Sequence, residues 1–322
     1  MTLLSTAALL ILLALSGCGA PPAQLPPAEV TTAASGLRLE PASVIGSPGS
    51  GPAQFDRPMG LALDHRGHLY VVDMGNNRVQ KFDKDGRFLL EFGIFGSEGG
   101  QFIEPVNATA AHGFSVAVTD ARNERWQTFD LEGNFLVASA EGADERLGIP
   151  WGISRARDGR LFLSNTQDHS IVVIGLDGRV EFSFGGFGGG RGQLNLPSGL
   201  AFSEGDNLLV ADAGNDRIQR FDFHGGPLGS WGRKGSGAGQ LRAPRGVAVD
   251  RQGRVYVADT GNDRVQVFNA AGNWLGGYPS AGTTGDLSRP ADVAVTGSRL
   301  YVADTGHDRV LEIRVIDDSV VH

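Results

Sequence analysis

One segment recurs six times along the chain, and that recurrence constrains the fold more than any single motif does. Its clearest copies are PMGLALDHRGHLYVVDMGNNRVQKF from Pro58, PSGLAFSEGDNLLVADAGNDRIQRF from Pro197 and PRGVAVDRQGRVYVADTGNDRVQVF from Pro244. Looser copies begin at Pro105, Pro150 and Pro290, so the six prolines are 47, 45, 47, 47 and 46 residues apart. That period is too long for a leucine-rich or ankyrin unit and close to that of four-stranded units arranged around a central axis.

Within each copy, short β-branched runs alternate with turn chemistry. In the fifth they fall at Gly246 to Asp250, Arg254 to Ala258, Arg264 to Phe268 and Trp274 to Tyr278. The 48 glycines agree, because glycine takes the positive φ of tight turns at little steric cost. Four short strands make a twisted sheet that is apolar on both faces, so each must stack between two neighbours and six close radially. The expected fold is all-β: a six-bladed β-propeller of four-stranded antiparallel blades. The last repeat offers only three strands, ending near Val310 to Ile316. Conversely, VIGSPGSGPAQFDRP from Val44 matches EFGIFGSEGGQFIEP from Glu91 and SFGGFGGGRGQLNLP from Ser183, each an outer strand followed by an inter-blade loop. The amino-terminal strand is therefore expected to complete the last blade.

The turn after the second strand reads DMGNNR, DARNER, NTQDHS, DAGNDR, DTGNDR and DTGHDR, with Asp and Arg five apart in five copies. In the third copy both change together, to Asn165 and Ser170, as partners would, since losing one alone leaves a charge unpaired. Asp73 with Arg78, Asp120 with Arg125, Asp212 with Arg217, Asp259 with Arg264 and Asp304 with Arg309 are accordingly read as structural pairs. The pattern P-x-G-[LV]-A followed by YVAD-x-x-N-x-R-[VI]-Q-x-F resembles the NHL repeat over about residues 44 to 316. The resemblance is strong in repeats one, four and five, good in six, and degraded in two and three. It implies a six-bladed propeller used for binding, which in some members also carries an enzyme site.

The amino terminus predicts where the protein resides. Leu3 to Leu15 form an apolar run of 13 residues, shorter than the roughly 18 that read as a membrane span. The run ends in Leu15-Ser16-Gly17-Cys18, which resembles the bacterial lipobox, whose cysteine is acylated and becomes the new amino terminus. No Lys or Arg precedes the run, a departure from the usual signal-peptide pattern. Residues 1–17 read as a lipoprotein signal peptide, 18–38 as a Pro/Ala-rich tether and 39–318 as the propeller. The expected location is the bacterial cell envelope, lipid-anchored through Cys18 and facing the periplasm or the outer membrane. The net charge of -8 gives no general attraction to nucleic acid, and no nucleic-acid partner is expected. A monomer is expected.

Sites in this fold gather where loops converge on the central channel. The pairs after the six prolines are Met59 and Gly60, Val106 and Asn107, Trp151 and Gly152, Ser198 and Gly199, Arg245 and Gly246, and Ala291 and Asp292. Asn107, Trp151, Arg245 and Asp292 are the candidate ligand-binding residues among them. Asn165, Gln167 and His169 join the set because they replace scaffold residues in the third turn. Peptidylglycine amidating lyases, which resemble NHL propellers, need several channel histidines for zinc, and no histidine follows any repeat proline here. Calcium takes six to eight ligands, for which Asn107 and Asp292 are the only channel matches. No metal, cofactor or catalytic set is expected. The leading expectation is a non-catalytic module that binds a protein, peptide or glycan partner; a hydrolase or lyase with a channel metal is the other reading.

Overall fold

The computed structural model describes residues 23–24, 36–110, 114–139, 147–278 and 286–318; the signal peptide, Cys18 and most of the tether lie outside these described residues. Blade one consists, from the axis outward, of Pro58–Leu63, Leu69–Asp73, Arg78–Phe82 and Phe88–Phe92, each antiparallel to the next. Blades two to five repeat the order, running from Pro105–Thr109 out to Phe135–Ala138, Pro150–Arg155 to Val180–Gly185, Pro197–Phe202 to Pro227–Trp231, and Val247–Val249 to Trp274–Tyr278. Blade six has Val293–Thr296, Arg299–Asp304 and Arg309–Asp317, and its fourth strand is Leu37–Ile45. Leu39 lies opposite Val315 and Val44 opposite Leu311, so the two ends of the described chain share one sheet and latch the ring as the repeat pattern predicts. At that sheet's edge Ala23–Gln24 pairs with Ser43 and Val44.

The core lies between the blades because side chains alternate across each strand. In blade one Tyr70 and Val72 pack with Val116, Val118 and Phe129 of blade two. Leu69 and Val71, from the same strand, pack with Tyr301, Ala303 and Val310 of blade six. Each buried Val or Leu stabilises the ring by about 1.5–3 kcal/mol relative to exposure, and no blade can collect that stabilisation without both neighbours.

Candidate functional site

The Asp–Arg turns are seams between blades. In all five blades that carry the pair, the acid is fully buried and takes the Arg Nε at 2.6–2.9 Å. Its second oxygen accepts the backbone N–H two residues ahead of the blade's own first proline, as Asp73 does from Asp56 and Asp259 from Arg242. In blade five Arg264 also donates to the carbonyls of Ser236, Gly237 and Gln240, while Gln266 and Asn262 donate to those of Gln240 and Gly235. The motif therefore fastens each incoming loop to its blade. The residue just before the Arg is left-handed, and in four of these blades its side chain reaches onward: Asn77 accepts the Glu104 N–H, Asp216 that of Ala243, Asp263 that of Arg289, and Asp308 that of Arg57 across the closure.

Along the axis the innermost strands divide into three levels. The second residue after the proline forms a waist: a Cβ on Gly60, Gly152, Gly199 or Gly246 would overlap backbone of the following blade, which explains the G of the P-x-G pattern. Blades two and six place Asn107 and Asp292 there instead. Asp292 Oδ2 accepts the Leu61 N–H at 3.0 Å and the Asn107 amide at 3.1 Å, joining blades six, one and two. Burial pushes the Asp292 carboxyl up to about 7, against the lowering effect of those hydrogen bonds.

The first residues after the prolines lie on one side of the waist. Met59, Val106 and Ala291 cluster with Ala121, and Trp151 and Met74 pack against them. The Arg245 guanidinium sits 5.2 Å from the Trp151 ring centre, and since blades three and five are not neighbours, this contact reaches over the axis. On the other side the ends of the innermost strands enclose a cavity of about 780 Å³, lined by Leu61, Ile153, Arg155, Leu200, Val247 and Asp292 among others, with Arg157, Glu204 and Arg251.

The seven residues singled out from sequence fall into three places. Asn107 and Asp292 line the cavity and bond to each other. Trp151 and Arg245 stack together at the opposite end. Asn165, Gln167 and His169 lie on the loop rim of blade three. There Asn165 donates to Asp168 at 2.7 Å, Gln167 is exposed, and His169 stands at the left-handed position with Nδ1 accepting the Leu196 N–H at 3.0 Å. His169 thus takes the anchoring position that Asn or Asp fills elsewhere, while its ring lies 4.9 Å from that of Phe187. Phe187 is 70% exposed, Leu196 48% and Ile149 39%; Ile149 is joined to the same turn through the Thr166 N–H. Sequence reasoning missed this apolar rim and also Arg155. The latter had a signal: five residues after the proline the other blades carry Leu63, Ala110, Phe202, Val249 and Val295.

The residues present do not fit a channel metal. Among the described residues no three His, Cys, Asp or Glu side chains converge. Asp292, the one acid at the waist, has one oxygen taken up by two N–H donors and stands alone there among the described residues, too few ligands for a cation that takes six to eight.

A family model described as NHL repeat matches residues 55–82, 194–221 and 241–268, in blades one, four and five. Curated relatives are similar over single segments: Protein lin-41 of Caenorhabditis elegans is 49% identical over 15% of this chain and 4% of its own length, and human NHL repeat-containing protein 3 is 50% identical over 12% of each. The chain therefore spans only a small part of these relatives. Among solved structures, a gluconolactonase from Xanthomonas campestris aligns with a TM-score of 0.66 at 20% identity, covering 93% of this chain and 98% of that one. Virginiamycin B lyase from Staphylococcus aureus aligns with a TM-score of 0.60 at 12% identity, covering 87% and 100%. At those identities the likeness is one of fold. Three of the six blades carry segments that match the NHL-repeat model, and the fold around them is a six-bladed β-propeller.

Proposed function

We propose that this propeller is a non-catalytic binding module of the bacterial cell envelope, lipid-anchored through Cys18, that receives a protein or peptide partner on the loop rim of blades three and four. The observation that carries the reading is the exposure of Ile149, Phe187 and Leu196 on this rim, with Phe187 against the His169 ring and Leu196 bonded to it. Exposed aromatic and aliphatic side chains rimmed by polar groups mark interaction surfaces, and aromatics dominate binding energy at such surfaces. His169 gives the patch rigidity, because its ring is fixed by the Leu196 N–H rather than by solvent.

The test uses the full chain, extracted in detergent from envelope membranes. Mass analysis of the amino-terminal peptide is expected to find an acyl adduct on Cys18, and partners cross-linked to the native chain are expected to be lost from Phe187→Ala/Leu196→Ser. An unmodified Cys18 removes the anchor from the reading. A cross-linked set indifferent to the double variant removes the rim.

A further inference from the structure

We propose that the central cavity binds an organic monocarboxylate with an apolar body, and that Arg155 supplies its counter-charge. Arg155 ends the innermost strand of blade three, at a position where every other blade is apolar. Its Nε and Nη2 are shielded from water and have no hydrogen-bond partner among the described residues. Burial pushes its guanidinium below the ordinary Arg value, yet Arg keeps its proton at any physiological pH, so the site holds an unpaired cation. Leaving two shielded guanidinium donors of a half-buried Arg without partners is costly, and a fold with five apolar solutions at the equivalent position has no structural need for it.

The geometry of the free atoms identifies the ligand class. Nε and Nη2 form the side-on edge of the guanidinium, which a carboxylate spans with two parallel hydrogen bonds. The edge is covered as it stands, so a ligand meets it through a swing of the long side chain into the cavity, which also relieves the buried charge. The cavity of about 780 Å³ has the size of a small-molecule site, and Leu61, Ile153, Leu200, Val247 and Val293 give it apolar stretches of wall between polar ones formed by Asn107, Thr109, Ser154 and Ser203. The apolar stretches favour an alkyl or aryl body over an inorganic ion. Toward the strand ends, Arg157 is paired with Asp206 at 3.4 Å, while the exposed Arg251 adds positive charge and Glu204 opposes it. Asp292 is the other acid of the cavity; held by Leu61 and Asn107 and protonated up to about 7, it repels an incoming carboxylate least at or below neutral pH.

Calorimetric titration of the full chain at pH 6.5 with octanoate, octanol and inorganic phosphate tests this. Octanoate is expected to bind at one site, with octanol and phosphate at least tenfold weaker, and Arg155→Gln is expected to weaken octanoate at least tenfold. Arg251→Gln, an exposed change that leaves the core intact, is expected to weaken it two- to threefold, an effect that salt reduces. Octanol matching octanoate, phosphate matching octanoate, Arg155→Gln retaining full affinity, or no binding by about 10 mM octanoate would each overturn the proposal. If Arg155→Gln does not fold, an octanoate affinity indifferent to both Arg251→Gln and salt overturns it instead. The cavity is separate from the loop rim proposed for partner binding, so either reading can fail alone.

Discussion

The seams entering blade five and blade three solve the same problem with very different chemistry. At blade five the buried Asp259 takes Arg264, Asn262, Gln266 and the Arg242 N–H, so one carboxylate organises the whole incoming loop. At blade three Asn165, Ser170 and Val172 stand in the places of Asp, Arg and Gln, and among the described residues the Asn165 side chain bonds within its own turn, to Asp168. The fold tolerates this because blade three keeps its two apolar faces: Phe162, Ile171 and Val173 pack toward blade four, and Leu161, Leu163 and Val172 toward blade two. Burial makes the ring, and the polar seams fix its loops. Asp259→Ala is therefore expected to cost about 3–5 kcal/mol in urea unfolding, because Arg264 is left largely buried and unpaired. Asn165→Ala is expected to cost about 1 kcal/mol, the worth of a local hydrogen bond. Equal costs would erase the contrast between the two seams.

The seam where the chain ends meet offers a third solution and sharpens the comparison through pH. Asp292 bridges blades six, one and two while holding its proton up to about 7, whereas an unfolded Asp titrates near 3.8. A carboxyl raised on folding contributes stability that is fully present below its unfolded value and is lost as pH rises through its folded one. The native ring should thus lose up to about 4 kcal/mol between pH 4 and pH 7 on this account alone. Asp292→Asn keeps an acceptor for the Leu61 N–H without a titrating group, so its unfolding free energy should be flatter over the same range. Identical pH slopes for the two proteins would show that Asp292 ionises freely in the folded state.

The contrast also marks what could be read from sequence. Blade number, closure by the amino-terminal strand and the Asp–Arg pairing were legible because each is written several times, and the joint change at Asn165 and Ser170 exposed the partnership. The site was less legible because residues adjacent in sequence separate along the axis. Trp151 lies on the apolar side of the waist, and Arg155, four residues later on the same strand, lies on the cavity side. His169 looked like a departure from the scaffold, yet its ring nitrogen accepts the same backbone N–H that an Asp oxygen accepts in blades four, five and six. Residue type concealed a function that geometry preserved.

The smallest expected effect bears most directly on why the seam into blade three is weak. Glu124 stands at the left-handed position of the blade-two turn, φ 51°, where Asn77 stands in blade one. Asn77 bonds the Glu104 N–H of the next blade, whereas no side-chain bond from Glu124 to blade three occurs among the described residues. Glutamate is one carbon too long for that reach and less at ease at positive φ than asparagine. Glu124→Asn is expected to raise stability by about 0.5–1 kcal/mol through backbone preference and one new hydrogen bond to the Ile149 N–H. Amide exchange at Ile149 should slow in parallel, since that N–H would be the group newly held. A gain in stability without slower exchange at Ile149 would assign the effect to the turn alone. The weakness of the seam would then trace to Asn165 and Ser170, whose missing carboxylate and guanidinium no single change in blade two can supply.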